Sequence, residues 1–232
     1  QQRLRALCAV GRAAHAATLG WYAARGITGA IPSRGGPAAL TVPAAVDGWW
    51  RAHEYSRGAM GSPVGWKALL ADAILYAREG FQASDGQRIP PPREPDLFTE
   101  RAPEEIRRAL WPLYHPDALC RGPLVQRDLA RTLEAVRDGG AEGFYQGDVA
   151  RRLVAAAAAA GSPLAVEDLA EHRSDWMEPL RIAYAEGQVA SFPPPTQGIS
   201  ALDEHDHIEA FGGTASYYQL RNALRDHYRP HA

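Results

Sequence analysis

The chain has 232 residues, 46% of them apolar and 22% charged, with 25 basic and 27 acidic side chains and a formal charge of −2. Such a length carries a sizeable core. The near-balance of charge gives no basis for a nucleic-acid or anionic-membrane partner, and two cysteines, Cys8 and Cys120, are too few for a disulfide framework or a zinc site. No window holds the ~18 apolar residues that a membrane span needs, and the start, QQRLRALCAV, lacks the pattern of a signal peptide. It also begins without Met, so the expectation is a piece of a longer product, with a cytoplasmic setting ahead of a periplasmic or secreted one.

In chain order, the first predicted helix is VPAAVDGWWRAHEYSRG, with Pro43 in its first turn and Gly58 at its end. Val46, Trp49, Trp50 and His53 share one face of it. The second lies in SPVGWKALLADAILYAREG, where Trp66, Leu69, Leu70, Ala73, Ile74 and Ala77 make a stripe between Ser62-Pro63 and Gly80. Residues 82–123 are proline-rich and weakly periodic; they read as loops around one or two short helices, one of them near Pro103–Leu110. A third long helix starts near Asp128, carries Leu129, Thr132, Leu133 and Val136, and stops at Gly139-Gly140. A fourth follows Asp148, read as a side-chain cap, and ends at Gly161. After a short helix near Glu167–His172, Leu180, Ile182 and Tyr184 alternate with Arg181 and Ala183. Glu186-Gly187 supplies a turn and Gln188–Phe192 returns, straight into Pro193, Pro194 and Pro195. No repeat or low-complexity linker divides the chain, so a single domain over 1–232 is expected.

Few residues stand out chemically. Arg12, in CAVGRAAHAAT, has the planar fork that meets a carboxylate with two bonds, and Gly11 beside it allows close backbone approach; the bland alternative is a surface Arg. Cys8 and His15 lie close in sequence, but a lone Cys is usually a small buried hydrophobe. In DEHDH at 203–207, Asp203 and His207 are at i, i+4, yet no third ligand is suitably spaced, so a solvated helix face is the default and no metal is expected. His227 and His231 are separated by Pro230, which argues against one helix. No phosphate-binding loop, dinucleotide fingerprint, nucleophile elbow or metalloprotease motif occurs, and no cofactor is expected.

Three blocks together resemble the large subunit of the γ-glutamyltransferase (γ-glutamyltranspeptidase) family. GPAALTVPAAVDGWWRAHE with GWKALLADAILYAREGFQAS is similar to the family's Val-Pro-Gly-x-Val-x-Gly, helix and Trp-x-x-Leu segment. GPLVQRDLARTLEAVRDGGAEGFYQGDVARRLVAAAAAAGSPLAVEDLAEHR resembles its Leu-Ala-x-Thr-Leu, Phe-Tyr-x-Gly and Glu-Asp-Leu-Ala elements. EPLRIAYAEGQVASFPPPTQGISAL is similar to its hairpin and proline-led turn. The order agrees across 37–202. Departures include Ala44 for Gly, Ala14 for Pro and Thr196 for Ser, and they weaken the assignment of glutathione as substrate more than the fold.

The resemblance implies an α+β fold, part of the αββα sandwich of N-terminal-nucleophile hydrolases, this chain mostly helical with a few strands. It implies a precursor that cleaves itself, with the nucleophilic Thr and its own α-amine on a partner small subunit. No catalytic residue is then expected in this chain, which would be the large-subunit portion and would work only with that partner, with a dimer of such pairs a further possibility. The substrate is expected to be a γ-glutamyl amide or a related carboxylate-bearing compound, and Arg12 maps to the Arg that binds its α-carboxylate. Two alternatives stand beside this: a specialised biosynthetic homologue that cleaves another bond, C–C included, and a non-catalytic helical subunit that only binds a partner.

Overall fold

The chain opens on a strand, β1 (Ala6–Cys8), that pairs antiparallel with β2 (Asp175–Met177), Leu7 opposite Trp176. The computed structural model describes residues 4–84, 104–114, 122–184 and 187–196, together with positions 119, 198 and 202. The described residues fall into two compact units, one from Gln1–Val10 and Arg173–Ala232, the other Gly11–His172.

In the first unit the predicted hairpin is present. β3 (Leu180–Tyr184) pairs antiparallel with β4 (Gly187–Ser191), Ile182 opposite Val189. The return strand stops at Ser191, one residue earlier than expected. The prolines follow at once, with a turn at 194–195, and Thr196 Oγ1 closes it by donating to Pro193 O at 3.1 Å and accepting from Gly198 N at 3.2 Å. The β1–β2 pair was not foreseen: three-residue strands show no usable alternation. In it the Arg5 guanidinium stacks 4.8 Å from the centre of the Trp176 ring.

The second unit carries the helices, α1 (Leu19–Ala23), α2 (Ala45–Met60), α3 (Trp66–Glu79), α4 (Glu104–Tyr114), α5 (Arg127–Gly139), α6 (Glu142–Tyr145), α7 (Gly147–Ala159) and α8 (Val166–Ala170). Several boundaries differ from expectation: α4 runs on to Tyr114 rather than stopping near Leu110, and α8 ends at Ala170 rather than near His172. α2 runs through Gly58 and ends at Gly61, whose φ of 69° is the left-handed cap conformation that glycine adopts without a Cβ penalty. α3 begins at Trp66, after Ser62-Pro63 has turned the chain. Asp148 lies inside the first turn of α7 and makes no cap; its carboxylate takes Arg152 Nε at 2.9 Å instead.

The core joins Val46 of α2, Leu70 and Ile74 of α3, Val136 of α5, Tyr145, Ala150 of α7, and Leu169 of α8, with Ala14, Val42 and Leu164 from connecting segments. Each large apolar side chain sealed here contributes about 1.5–3 kcal/mol. α3 and α5 pack side by side, and Trp66 Nε1 donates to Val136 O at 2.9 Å across the contact. Trp50 meets Trp66 edge to face, ring centres 5.0 Å apart. Each predicted stripe is broader than the core it meets. Trp49, Leu69 and Leu129 belong to the predicted stripes yet are 54%, 54% and 42% exposed. Their neighbours one position along, Trp50, Leu70 and Ala130, make the contact.

Cys120, Gln197, DEHDH at 203–207, His227 and His231 lie outside the described residues.

Candidate functional site

Arg12 stands on a short extended segment, 11–14, that runs against 40–42. Gly11 begins it, and a Cβ there would come 1.8 Å from Val42 O, so any larger residue forces the two backbones apart. The sequence reading of Gly11 as a point of close approach is thus matched by the geometry. Val42 N donates to Arg12 O at 2.9 Å, Ala14 N donates to Leu40 O at 2.7 Å, and Ala13 bridges Thr41. Ala14 is buried and ties the segment to the core.

The far end of the segment is held by an acid. His15 N donates to Asp168 Oδ1 at 2.8 Å, and Asp168 Oδ2 accepts from Ala165 N at 2.8 Å, in the manner of half a capping box at the start of α8. Asp168 is 5% exposed. His15 Nε2 lies 3.0 Å from Glu171 Oε2, one turn along. Beyond it Thr18 Oγ1 accepts from Trp21 N and caps α1.

The Arg12 backbone is therefore fixed on both sides while its side chain is exposed and makes no ion pair or hydrogen bond among the described residues. That is the arrangement in which a guanidinium is available to a ligand at small cost in ordering. Cys8, on β1, is a half-buried free thiol, and the His15 ring is engaged by the Glu171 carboxylate.

The strand that Arg12 leans on leads directly into α2. There Tyr145 Oη donates to Pro43 O at 2.8 Å and accepts from Asp47 N at 3.1 Å. Burial, with the nearby Asp47 carboxylate adding to it, pushes the Tyr145 hydroxyl up to about 12. Asp47, itself buried in the first turn of α2, pairs with Arg51 Nε at 3.2 Å. Among the described residues no group of three or more His, Cys, Asp and Glu side chains is placed to hold a metal.

Sequence reasoning singled out Arg12 and Gly11 but not Asp168. Its one local signal is a carboxylate three positions into a helix start, at Ala165-Val166-Glu167-Asp168, and Ala at the cap position hides it.

The sequence profile described as Gamma-glutamyltranspeptidase matches residues 1–223. The chain belongs to the gamma-glutamyltranspeptidase family. Among curated relatives it is 34% identical over 198 residues to the oxamate amidohydrolase proenzyme of Klebsiella pneumoniae, spanning 85% of this chain and 36% of the relative. It is 30% identical over 167 residues to the glutathione hydrolase proenzyme of Pseudomonas aeruginosa, spanning 72% of this chain and 28% of the relative. The chain thus spans about a third of the length of such relatives. Its fold is similar to that of the cephalosporin acylase from Bacillus halodurans, with a TM-score of 0.71, 27% identity, and coverage of 87% of this chain and 37% of that one. It is also similar to the gamma-glutamyltranspeptidase of Helicobacter pylori, with a TM-score of 0.68, 25% identity, and coverage of 86% and 56%. The expected α+β class holds in these family members and in the described elements.

Proposed function

We propose that this chain is the large-subunit portion of an amide-cleaving or acyl-transferring member of the gamma-glutamyltranspeptidase family, whose substrate carries a carboxylate bound by Arg12. The nucleophilic Thr is supplied by a second chain from the same precursor. The observation that carries the reading is the presentation of Arg12: a segment anchored at Gly11, Arg12 O, Ala14 N and His15 N, with an uncommitted guanidinium. The names of its relatives support the rest, since those proteins are called proenzymes and hydrolases.

The test uses the full-length, processed protein and two anilides, one γ-glutamyl and one lacking the α-carboxylate. Arg12→Ala is expected to raise KM for the first by roughly 10- to 150-fold, the worth of a charge-assisted hydrogen bond. It should leave the second unchanged. Equal effects on both, or none, would remove Arg12 from the reading.

A smaller substrate is the second reading. The Klebsiella pneumoniae relative is called an oxamate amidohydrolase, and oxamate is an amide with a carboxylate directly beside it. Faster hydrolysis of oxamate than of the γ-glutamyl anilide would favour it, and Arg12 would keep its role.

A further inference from the structure

The Asp168 carboxylate is buried and both of its oxygens are engaged by backbone amides. One bond is local: Oδ2 with Ala165 N caps α8. The other is remote: Oδ1 with His15 N joins α8 to a segment 153 residues earlier, three positions from Arg12. A helix needs only the first. The second does nothing for α8 and holds the segment, which has the 40–42 strand along its start and, at its far end, this carboxylate on the backbone amide of His15 with Glu171 on the exposed His15 ring.

We propose that Asp168 is a positioning residue for Arg12. It holds the His15 amide, and through it the backbone that aims the guanidinium at the substrate carboxylate; this rests on the reading of Arg12 given above. The choice of an acid fits the task. An ionised carboxylate accepts two amides at once and gives charge-assisted bonds, about twice as strong as neutral ones. With its oxygens turned to Ala165 and His15, it forms no ion pair with Arg12 among the described residues, so it fixes the segment without competing for the group it presents. Glu171 plays a lesser part: its carboxylate meets the His15 ring at an exposed position, where such pairs are weak.

The test is a double-mutant cycle on the full-length, processed enzyme with the γ-glutamyl anilide, reading KM and kcat separately. Asp168→Asn puts an amide NH2 where one of the two N–H groups now donates, so one bond is lost. With Arg12 present it is expected to raise KM roughly tenfold with a much smaller change in kcat. In the Arg12→Ala background the same change should add nothing further to KM. Amide hydrogen exchange over residues 11–18 should quicken in Asp168→Asn while the α3–α5 core stays protected. Should Asp168→Asn fail to fold, Asp168→Glu, which keeps the charge and moves it by one methylene, completes the same cycle. Equal KM factors with and without Arg12, or an unchanged KM, would overturn the proposal while leaving Arg12 in place. An Arg12→Ala enzyme with normal KM would overturn the Arg12 reading and this proposal with it.

Discussion

Tyr145 holds Asp47: the buried backbone N–H of Asp47 donates to the Tyr145 hydroxyl at 3.1 Å, and the same hydroxyl donates to Pro43 O at 2.8 Å. One phenol thus satisfies an amide in the first turn of α2, where a helix leaves its N–H groups without intrahelical partners, and the carbonyl of Pro43 just before the helix. The strand bearing Val42, which pairs with the Arg12 segment, is pinned at its downstream end by this contact.

Tyr145→Phe leaves both backbone groups buried without the hydroxyl. A loss of about 1–3 kcal/mol in unfolding free energy is expected. Urea midpoints of the full-length protein and its variant measure it; a change within about 0.5 kcal/mol would mean that water or relaxation replaces the hydroxyl.

The same residue gives a pH dependence. Its folded pKa lies at about 12, above the roughly 10 of a free tyrosine. A raised pKa means that the unfolded chain loses this proton first as pH rises. The stabilisation is therefore complete below about pH 10 and is lost between about pH 10 and 12. The stability gap between wild type and Tyr145→Phe should narrow between pH 9 and pH 11. A gap that stays constant or widens would contradict this.

Gly11→Ala places a methyl where Val42 O already lies 1.8 Å away. The backbone pairing of 11–14 with 40–42 has to open, at a cost of about 1–3 kcal/mol. The effect should be visible as a lowered melting temperature and faster amide exchange at Ala14 and Val42. Unaltered exchange at both would show that the segment relaxes without opening.

Trp66→Phe keeps an aromatic ring against Trp50 and removes only the donor to Val136 O. The expected cost is about 1–3 kcal/mol, from a carbonyl left without that partner and a smaller ring. Leu169→Ala, at a fully buried position, should cost more, about 2–5 kcal/mol. Chemical denaturation ranks the two; the reverse order would mean that the Leu169 site collapses around the loss.

The long helices were legible because their apolar residues recur at helical spacing over many turns, as Leu70, Ile74 and Ala77 do. The hairpin was legible because Leu180–Tyr184 alternates and a turn follows. β1 and β2 were not, since three residues carry no period and the pairing joins positions as far apart as Ala6 and Met177. The width of the buried faces was misjudged at Trp49, Leu69 and Leu129, where composition marks a side chain as apolar but only packing decides whether anything meets it. At the site, Gly11 and Arg12 could be read locally. Asp168 could not, because its decisive bond is to a residue 153 positions away.

That separation also orders events during synthesis. The Arg12 segment leaves the ribosome well ahead of Asp168, which lies 153 residues after His15. Loops of this size close slowly. The tie at the far end of the Arg12 segment is thus among the later contacts of this unit to form, and a nascent chain halted before α8 would lack the carboxylate that accepts from His15 N.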